Sequence, residues 1–96
     1  MDFYHGTVTN LVENEEYLLP AIETGILRED FRKKLKDKVF LTNSKLSAIK
    51  YAKKAQQKFN GEPIILKVKP DKESLHNING TEYITNFAKI LFTEKI

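Results

Sequence analysis

Cysteine is absent from this 96-residue sequence, which excludes disulfide staples, thiolate nucleophiles and cysteine-ligated metal sites. No apolar run approaches the roughly 18 residues that a membrane-spanning helix needs. The opening residues, Met1-Asp2-Phe3-Tyr4-His5, hold neither a basic leader nor an apolar stretch. No signal peptide is therefore expected, and a cytoplasmic location with no membrane partner fits. No His/Asp/Glu group has metal-ligand spacing, so no metal site is expected. His76 belongs to no recognisable cluster and is read as exposed. Arginine is confined to Arg28 and Arg32, both in one charged segment.

What is present describes an ordinary folded chain. Hydrophobic residues make up 41% and charged residues 30%, which separates it from disordered sequences. Its length fits one domain, residues 1–96, near the lower end of the usual size range. Six Phe and four Tyr must contribute to the core. Sixteen basic residues against thirteen acidic give a formal +3, which favours a phosphate-bearing partner only weakly.

The local pattern predicts a sequence of short elements. Phe3-Tyr4-His5 reads as a first strand, broken at Gly6-Thr7. A helical piece follows and ends at Gly25, with Leu18, Leu19 and Ile22 on one side and Pro20 near its first turn. Residues 28–38 form a charged stretch, a loop or a solvated helical turn. Val39-Phe40-Leu41-Thr42 is a compact strand rich in β-formers. Asn43-Ser44 offers an N-cap, after which Ala48, Tyr51 or Ala52, Ala55 and Phe59 recur at helical spacing until Asn60-Gly61. Pro63 opens a strand that is stopped at Pro70, and Asn79-Gly80 marks a turn. Glu82-Tyr83-Ile84-Thr85 and Ala88 to Phe92 read as the last two strands. The order β-α-β-α-β-β-β gives an α+β domain dominated by its sheet.

Taken singly, the chemistry-bearing residues have plain structural readings. His5 is a histidine at a strand end, Phe40 and Tyr51 are core aromatics, and Glu82 is a solvated charge at the start of a strand. The basic stretch Arg32 to Lys38, and Lys45, Lys50, Lys53, Lys54 and Lys58 on the main helix, are solvated faces. No interleaved aromatics mark a nucleic-acid stacking platform.

Taken together, the residues form an ordered set. His5-Gly6-Thr7 follows the first strand, Phe40 lies in the next clear strand, Tyr51 lies eleven positions later on a helix, and Glu82 opens Glu82-Tyr83-Ile84-Thr85. This set resembles the diphtheria-toxin and poly(ADP-ribose) polymerase branch of the ADP-ribosyltransferases, whose signature is a histidine, a tyrosine and a glutamate. The resemblance runs from Tyr4 to about Phe92. It implies a small ADP-ribosyltransferase-like fold, a mostly antiparallel split sheet with two short helical segments.

The resemblance also implies roles. Gly6 would clamp the nicotinamide amide through its backbone, and His5 would hydrogen-bond a ribose hydroxyl of NAD, the co-substrate. Tyr51 would stack on the nicotinamide ring, with Phe40 as the opposite wall. Glu82 would bond the nicotinamide-side ribose and stabilise the cationic sugar. His5, Tyr51 and Glu82 are thus the expected catalytic residues; His5, Gly6, Thr7, Phe40, Thr42 and Tyr51 are the expected NAD contacts. Asn43 and Arg28 are further candidates on the adenosine side.

Two positions depart from the family pattern. Phe40 stands where tyrosine is more usual. Gly80, two residues before Glu82, replaces the acidic or amide residue of the arginine-modifying branch, which leaves arginine unsupported as acceptor. The expected function is a toxin-like mono-ADP-ribosyltransferase acting on a macromolecular acceptor, a protein first and a nucleic acid second. The alternatives are a non-catalytic module that binds NAD, ADP-ribose or a protein, and an RNA 2′-phosphotransferase-like enzyme. The last relies on several arginines, and two are present.

Overall fold

The computed structural model describes residues 1–12, 15–20 and 37–96. Strand β1 spans Phe3–Val8 and leads directly into a one-turn helix, α1 (Thr9–Val12). A two-residue strand, β2 (Tyr17–Leu18), follows, and the next described element is β3 (Val39–Thr42). Helix α2 (Lys45–Phe59) then precedes four strands: β4 (Pro63–Pro70), β5 (His76–Asn79), β6 (Glu82–Thr85) and β7 (Ala88–Lys95). All seven strands join one sheet in the order β2-β7-β4-β1-β3-β6-β5, and every neighbouring pair is antiparallel. The chain is thus a small α+β domain.

Alternation along the central strands explains the two-sided burial. In β4, Ile64, Leu66 and Val68 share a face with Phe3 of β1 and with Val39 and Leu41 of β3. These six form the main apolar cluster with Leu18 and Ala88. Ile65 points the other way, toward α2, and is also buried. A strand covered on both faces reads as a continuous apolar run, as Ile64-Ile65-Leu66 does. Truncating a side chain as enclosed as Leu66, 1% exposed, to alanine costs about 2–5 kcal/mol in comparable cores.

Helix α2 begins where the sequence predicts. The Ser44 side chain accepts from the Ser47 amide at 3.2 Å, which satisfies one orphan N–H of the first turn. The helix turns Ala48, Ala52 and Ala55 inward. Those small residues let it lie close to β1, and Gly6 completes the fit. A Cβ at Gly6 would stand 1.9 Å from the Ala48 carbonyl oxygen and 2.7 Å from the Ala52 nitrogen. The C-terminal end is held from α1, where Asn10 donates its amide to the Phe59 carbonyl at 3.1 Å. Asn60 takes a positive φ of 61° with an extended ψ of −161°, and Gly61 follows at φ 82°.

Several sequence expectations need correction. Gly6-Thr7 does not end the first strand. β1 runs on to Val8 because β4 pairs with all six of its residues. Leu18 is not helical; it sits in β2 opposite Ala88 of β7, and Leu19 follows as an exposed residue of irregular backbone. The last strand reaches Lys95 rather than Phe92. β5 has no counterpart among the sequence expectations because Ile78 is the one strong β-former in His76-Asn77-Ile78-Asn79 and all four residues are exposed. Ile22, Gly25, Arg28 and the stretch up to residue 36 lie outside the described residues.

Gly6 and Gly80 make a paired test. Gly6→Ala forces backbone against backbone and is expected to cost about 3 kcal/mol or more. Gly80 has φ 51° but open space around it, so Gly80→Ala carries only the left-handed penalty of about 1 kcal/mol. Urea denaturation of both variants checks the ranking, and an equal effect would rule out the close helix–strand approach.

Candidate functional site

The sheet's regularity lapses between β1 and β3. Among the described residues, these two strands pair at Tyr4↔Thr42. Continuing that register would set Phe40 opposite Gly6, yet no such pair forms. Instead the His5 ring reaches across, its Nδ1 2.7 Å from the Phe40 carbonyl oxygen. A carbonyl can only accept, so Nδ1 carries the hydrogen and Nε2 of the neutral ring is an acceptor. A side chain thus bridges the place where the two strands part, and it fixes both the orientation and the tautomer of the half-buried His5.

The second part of the site lies on the α2 side of the sheet. Glu82 opens β6, directly opposite Thr42 of β3, which itself stands opposite Tyr4. Paired residues share a face, so Tyr4, Thr42 and Glu82 form one row across three strands. Tyr51, one turn beyond Ala48 on α2, donates its hydroxyl hydrogen to Oε1 of Glu82. Both side chains are half-buried. On the other flank of Tyr51, the Lys54 ammonium lies 6.0 Å from its ring centroid, within cation–π range.

The position of Glu82 is set by the β5–β6 hairpin. Asn79 pairs with Glu82, leaving Gly80 and Thr81 as the two-residue turn. Gly80, at φ 51°, supplies the positive φ that the favoured two-residue hairpin turns need at their first central residue. Asn77 donates its side-chain amide to the carbonyls of Gly80 at 3.0 Å and Glu82 at 3.1 Å. The Asn43 amide also donates to the Thr81 carbonyl at 3.0 Å. The carboxylate is therefore carried by a rigid frame although it sits beside a turn. Sequence reading gave no role to Asn77; its signal was the asparagine three residues before a turn glycine.

The remaining candidates occupy structural positions. Thr7 and Thr42 are each only 1% exposed, so their side chains have almost no surface to offer a ligand in this conformation. The Thr42 hydroxyl accepts from the Ser44 amide at 3.1 Å and helps to start α2. The missing side chain of Gly6 is accounted for by the helix lying over it. Phe40 is half-buried, and Asn43 contacts the sulfur of Met1. Arg28 lies outside the described residues. His76 is exposed on the edge strand β5. Among the described residues no His/Cys/Asp/Glu group could hold a metal ion, and no helix is long and apolar enough to cross a membrane.

The four residues form two bonded pairs, His5 with Phe40 and Tyr51 with Glu82; β3 stands between the strands that carry His5 and Glu82, pairing with β1 at Tyr4 and with β6 from Glu82 to Thr85. Against protein-family models, curated proteins and solved structures, the chain finds no match.

The Tyr51–Glu82 bond can be measured by a double-mutant cycle of Tyr51→Phe and Glu82→Gln in urea denaturation. A hydrogen bond to a charged but partly solvated group should give a coupling of about 1 kcal/mol. A coupling indistinguishable from zero would show that the contact does not persist in solution.

Proposed function

We propose that this chain is a small NAD-dependent mono-ADP-ribosyltransferase with an ADP-ribosyltransferase-like fold, cleaving the nicotinamide–ribose bond and passing ADP-ribose to a macromolecular acceptor. The observation that carries the reading is the Tyr51–Glu82 pair, set in the same sheet as the His5 ring that bridges to Phe40. The histidine, the helical tyrosine and the strand glutamate belong to the pattern that the sequence resembles.

Each group suits one part of that chemistry. Breaking the C1′–N bond sends the bonding pair to nicotinamide, which leaves neutral, and builds positive charge on the ribose. The acceptor's nucleophile then bonds to C1′ and releases its proton. A fixed carboxylate such as Glu82 stabilises the developing cation far more than the ground state, because it need not reorganise as the charge appears. The Tyr51 hydroxyl holds that carboxylate in one orientation, and its ring offers a flat surface for nicotinamide. His5, with Nδ1–H committed to Phe40, presents Nε2 as an acceptor for a ribose hydroxyl.

The Phe40 departure from tyrosine bears little on this frame. Phe40 meets His5 through its carbonyl oxygen, which any residue would supply, while the phenyl ring keeps an apolar wall. The phosphotransferase alternative has less support, since that chemistry relies on several arginines and the sequence holds two, Arg28 and Arg32.

Nicotinamide release from NAD, assayed with a cell lysate as acceptor source, tests the reading. Glu82→Gln should lower the rate about 10²–10³-fold, the usual loss for one preorganised electrostatic contributor, with the fold intact by circular dichroism. Release that is unchanged in Glu82→Gln would overturn the mechanism. NAD binding without any release from the native protein would make it a binding module.

A further inference from the structure

Two stretches of the sequence are strongly basic, Arg32 to Lys38 and helix α2, and only the second lies wholly within the described residues. Helix α2 carries five lysines, Lys45, Lys50, Lys53, Lys54 and Lys58, and no acidic residue, whereas the whole chain nets only +3. The rest of the molecule is therefore net acidic. Lys45 is matched by Glu94, with Nζ 2.7 Å from a carboxylate oxygen, and this contact holds the Lys45 ammonium above its ordinary pKa. The other four lysines are all exposed, and no ion pair engages them among the described residues.

Their spacing places them on a single face. Ala48, Ala52 and Ala55 are turned to the sheet, so Lys50, Lys53, Lys54 and Lys58 project away from it. Lys50, Lys54 and Lys58 follow one another at four-residue intervals, about 6 Å apart along the axis at a 1.5 Å rise per residue. Tyr51 and its bond to Glu82 border this ridge, and Lys54 lies over the Tyr51 ring. Exposed Gln56 and Gln57 continue the face as neutral amides.

We infer that the lysine face of α2 is a docking surface for single-stranded nucleic acid, tracking its phosphates and bringing the strand alongside Tyr51 and Glu82. The occupant follows from the chemistry. Three ammonium groups along one ridge, with Lys53 beside them, match a backbone of regularly spaced phosphates, and lysine acts there as a point charge without demanding fixed geometry. Arginine, the residue suited to forked recognition of carboxylates, does not occur in α2. A bilayer surface is a poor match, because a membrane-binding helix must insert an apolar face and the alanine face of α2 is already buried against β1 and β4. The aromatic at the border of the ridge is Tyr51, half-buried between Glu82 and Lys54.

The docking does not depend on the NAD chemistry and is tested without it. Fluorescence anisotropy would follow a labelled single-stranded DNA of about 16 nucleotides, the upper range of one such binding site, across a potassium chloride titration. Four phosphate contacts predict a slope of log K against log salt of about −3, from roughly −0.7 per contact on single strands. Lys50→Gln/Lys54→Gln/Lys58→Gln should reduce the slope to about −1 and weaken low-salt binding by tenfold or more. Lys69→Gln/Lys72→Gln/Lys89→Gln removes the same charge from exposed positions elsewhere and should leave most of both. Circular dichroism verifies folding, and the single Lys54→Gln change, expected to lower the slope by about 0.7, serves if the triple variant does not fold. Equal losses in the two triple variants, no binding by the native protein at low salt, or tighter binding of poly-glutamate than of the DNA would overturn the proposal. None of these outcomes alters the nicotinamide-release result, so the two readings fail separately.

Discussion

Helix α2 approaches β1 at a distance that only a glycine permits, and the geometry of the site depends on that contact. With the Ala48 carbonyl 1.9 Å from where a Gly6 Cβ would stand, the helix can neither rise off the sheet without opening a void nor accept a larger residue beneath it. Three alanines on the helix and one glycine on the strand bring two backbones together. A close, well-packed approach fixes the helix's rotation and height, because displacing it loses many small dispersion contacts at once. Tyr51, one turn past Ala48, is thereby aimed at the first residue of β6. The family resemblance ascribes Gly6's missing side chain to close approach of a ligand; the structure gives it a sufficient reason in the helix. Its backbone groups, lying in the plane of the sheet, remain a separate matter from its absent Cβ.

A sheet that parts between two strands leaves donors and acceptors that must be satisfied some other way. Here the imidazole of His5 takes the place of ladder partner for the Phe40 carbonyl. The substitution is chemically useful because a backbone amide offers one hydrogen and nothing more. An imidazole that gives its Nδ1 hydrogen also presents an acceptor on the opposite side of the ring. The same bond that repairs the sheet therefore also sets the tautomer of the ring. On the far side of β3, Glu82 is held by the register with Thr42, the Asn77 amide and the Tyr51 hydroxyl.

Much of this was legible in the linear sequence where local chemistry decides structure. Ser44 reads as an N-cap, the alanine spacing reads as a helix, Asn60-Gly61 as its end, and Asn79-Gly80 as the turn before Glu82. The elements that were not legible are those fixed by pairing partners distant in sequence. Gly6-Thr7 has the composition of a break but is extended because β4 offers a continuous partner. Tyr17-Leu18 has too few residues to show any period, and only its pairing with β7 makes it a strand. Of the candidate site, the identity of the residues was visible, as was the order in which they occur. That His5 would bond Phe40, and Tyr51 would bond Glu82, was not, because both contacts depend on how β1 and α2 are set against β3 and β6.

On the two proposed readings, one short element, helix α2, would serve a cation and an anion at once. Its buried face is alanine, its border residue is Tyr51, and its outer face is lysine. At 0.1 M salt the field of exposed lysines fades over about 10 Å, enough to draw a phosphate-bearing molecule toward the surface. Glu82 acts over a shorter range: half-buried and hydrogen-bonded by Tyr51, it is a fixed negative charge for whatever positive centre is brought beside it. Tyr51 separates these two regimes, with Lys54 over its ring and Glu82 at its hydroxyl. On the proposed readings, an anionic ligand would be attracted by the helix as a whole, while a cationic centre within that ligand would be stabilised at one oxygen.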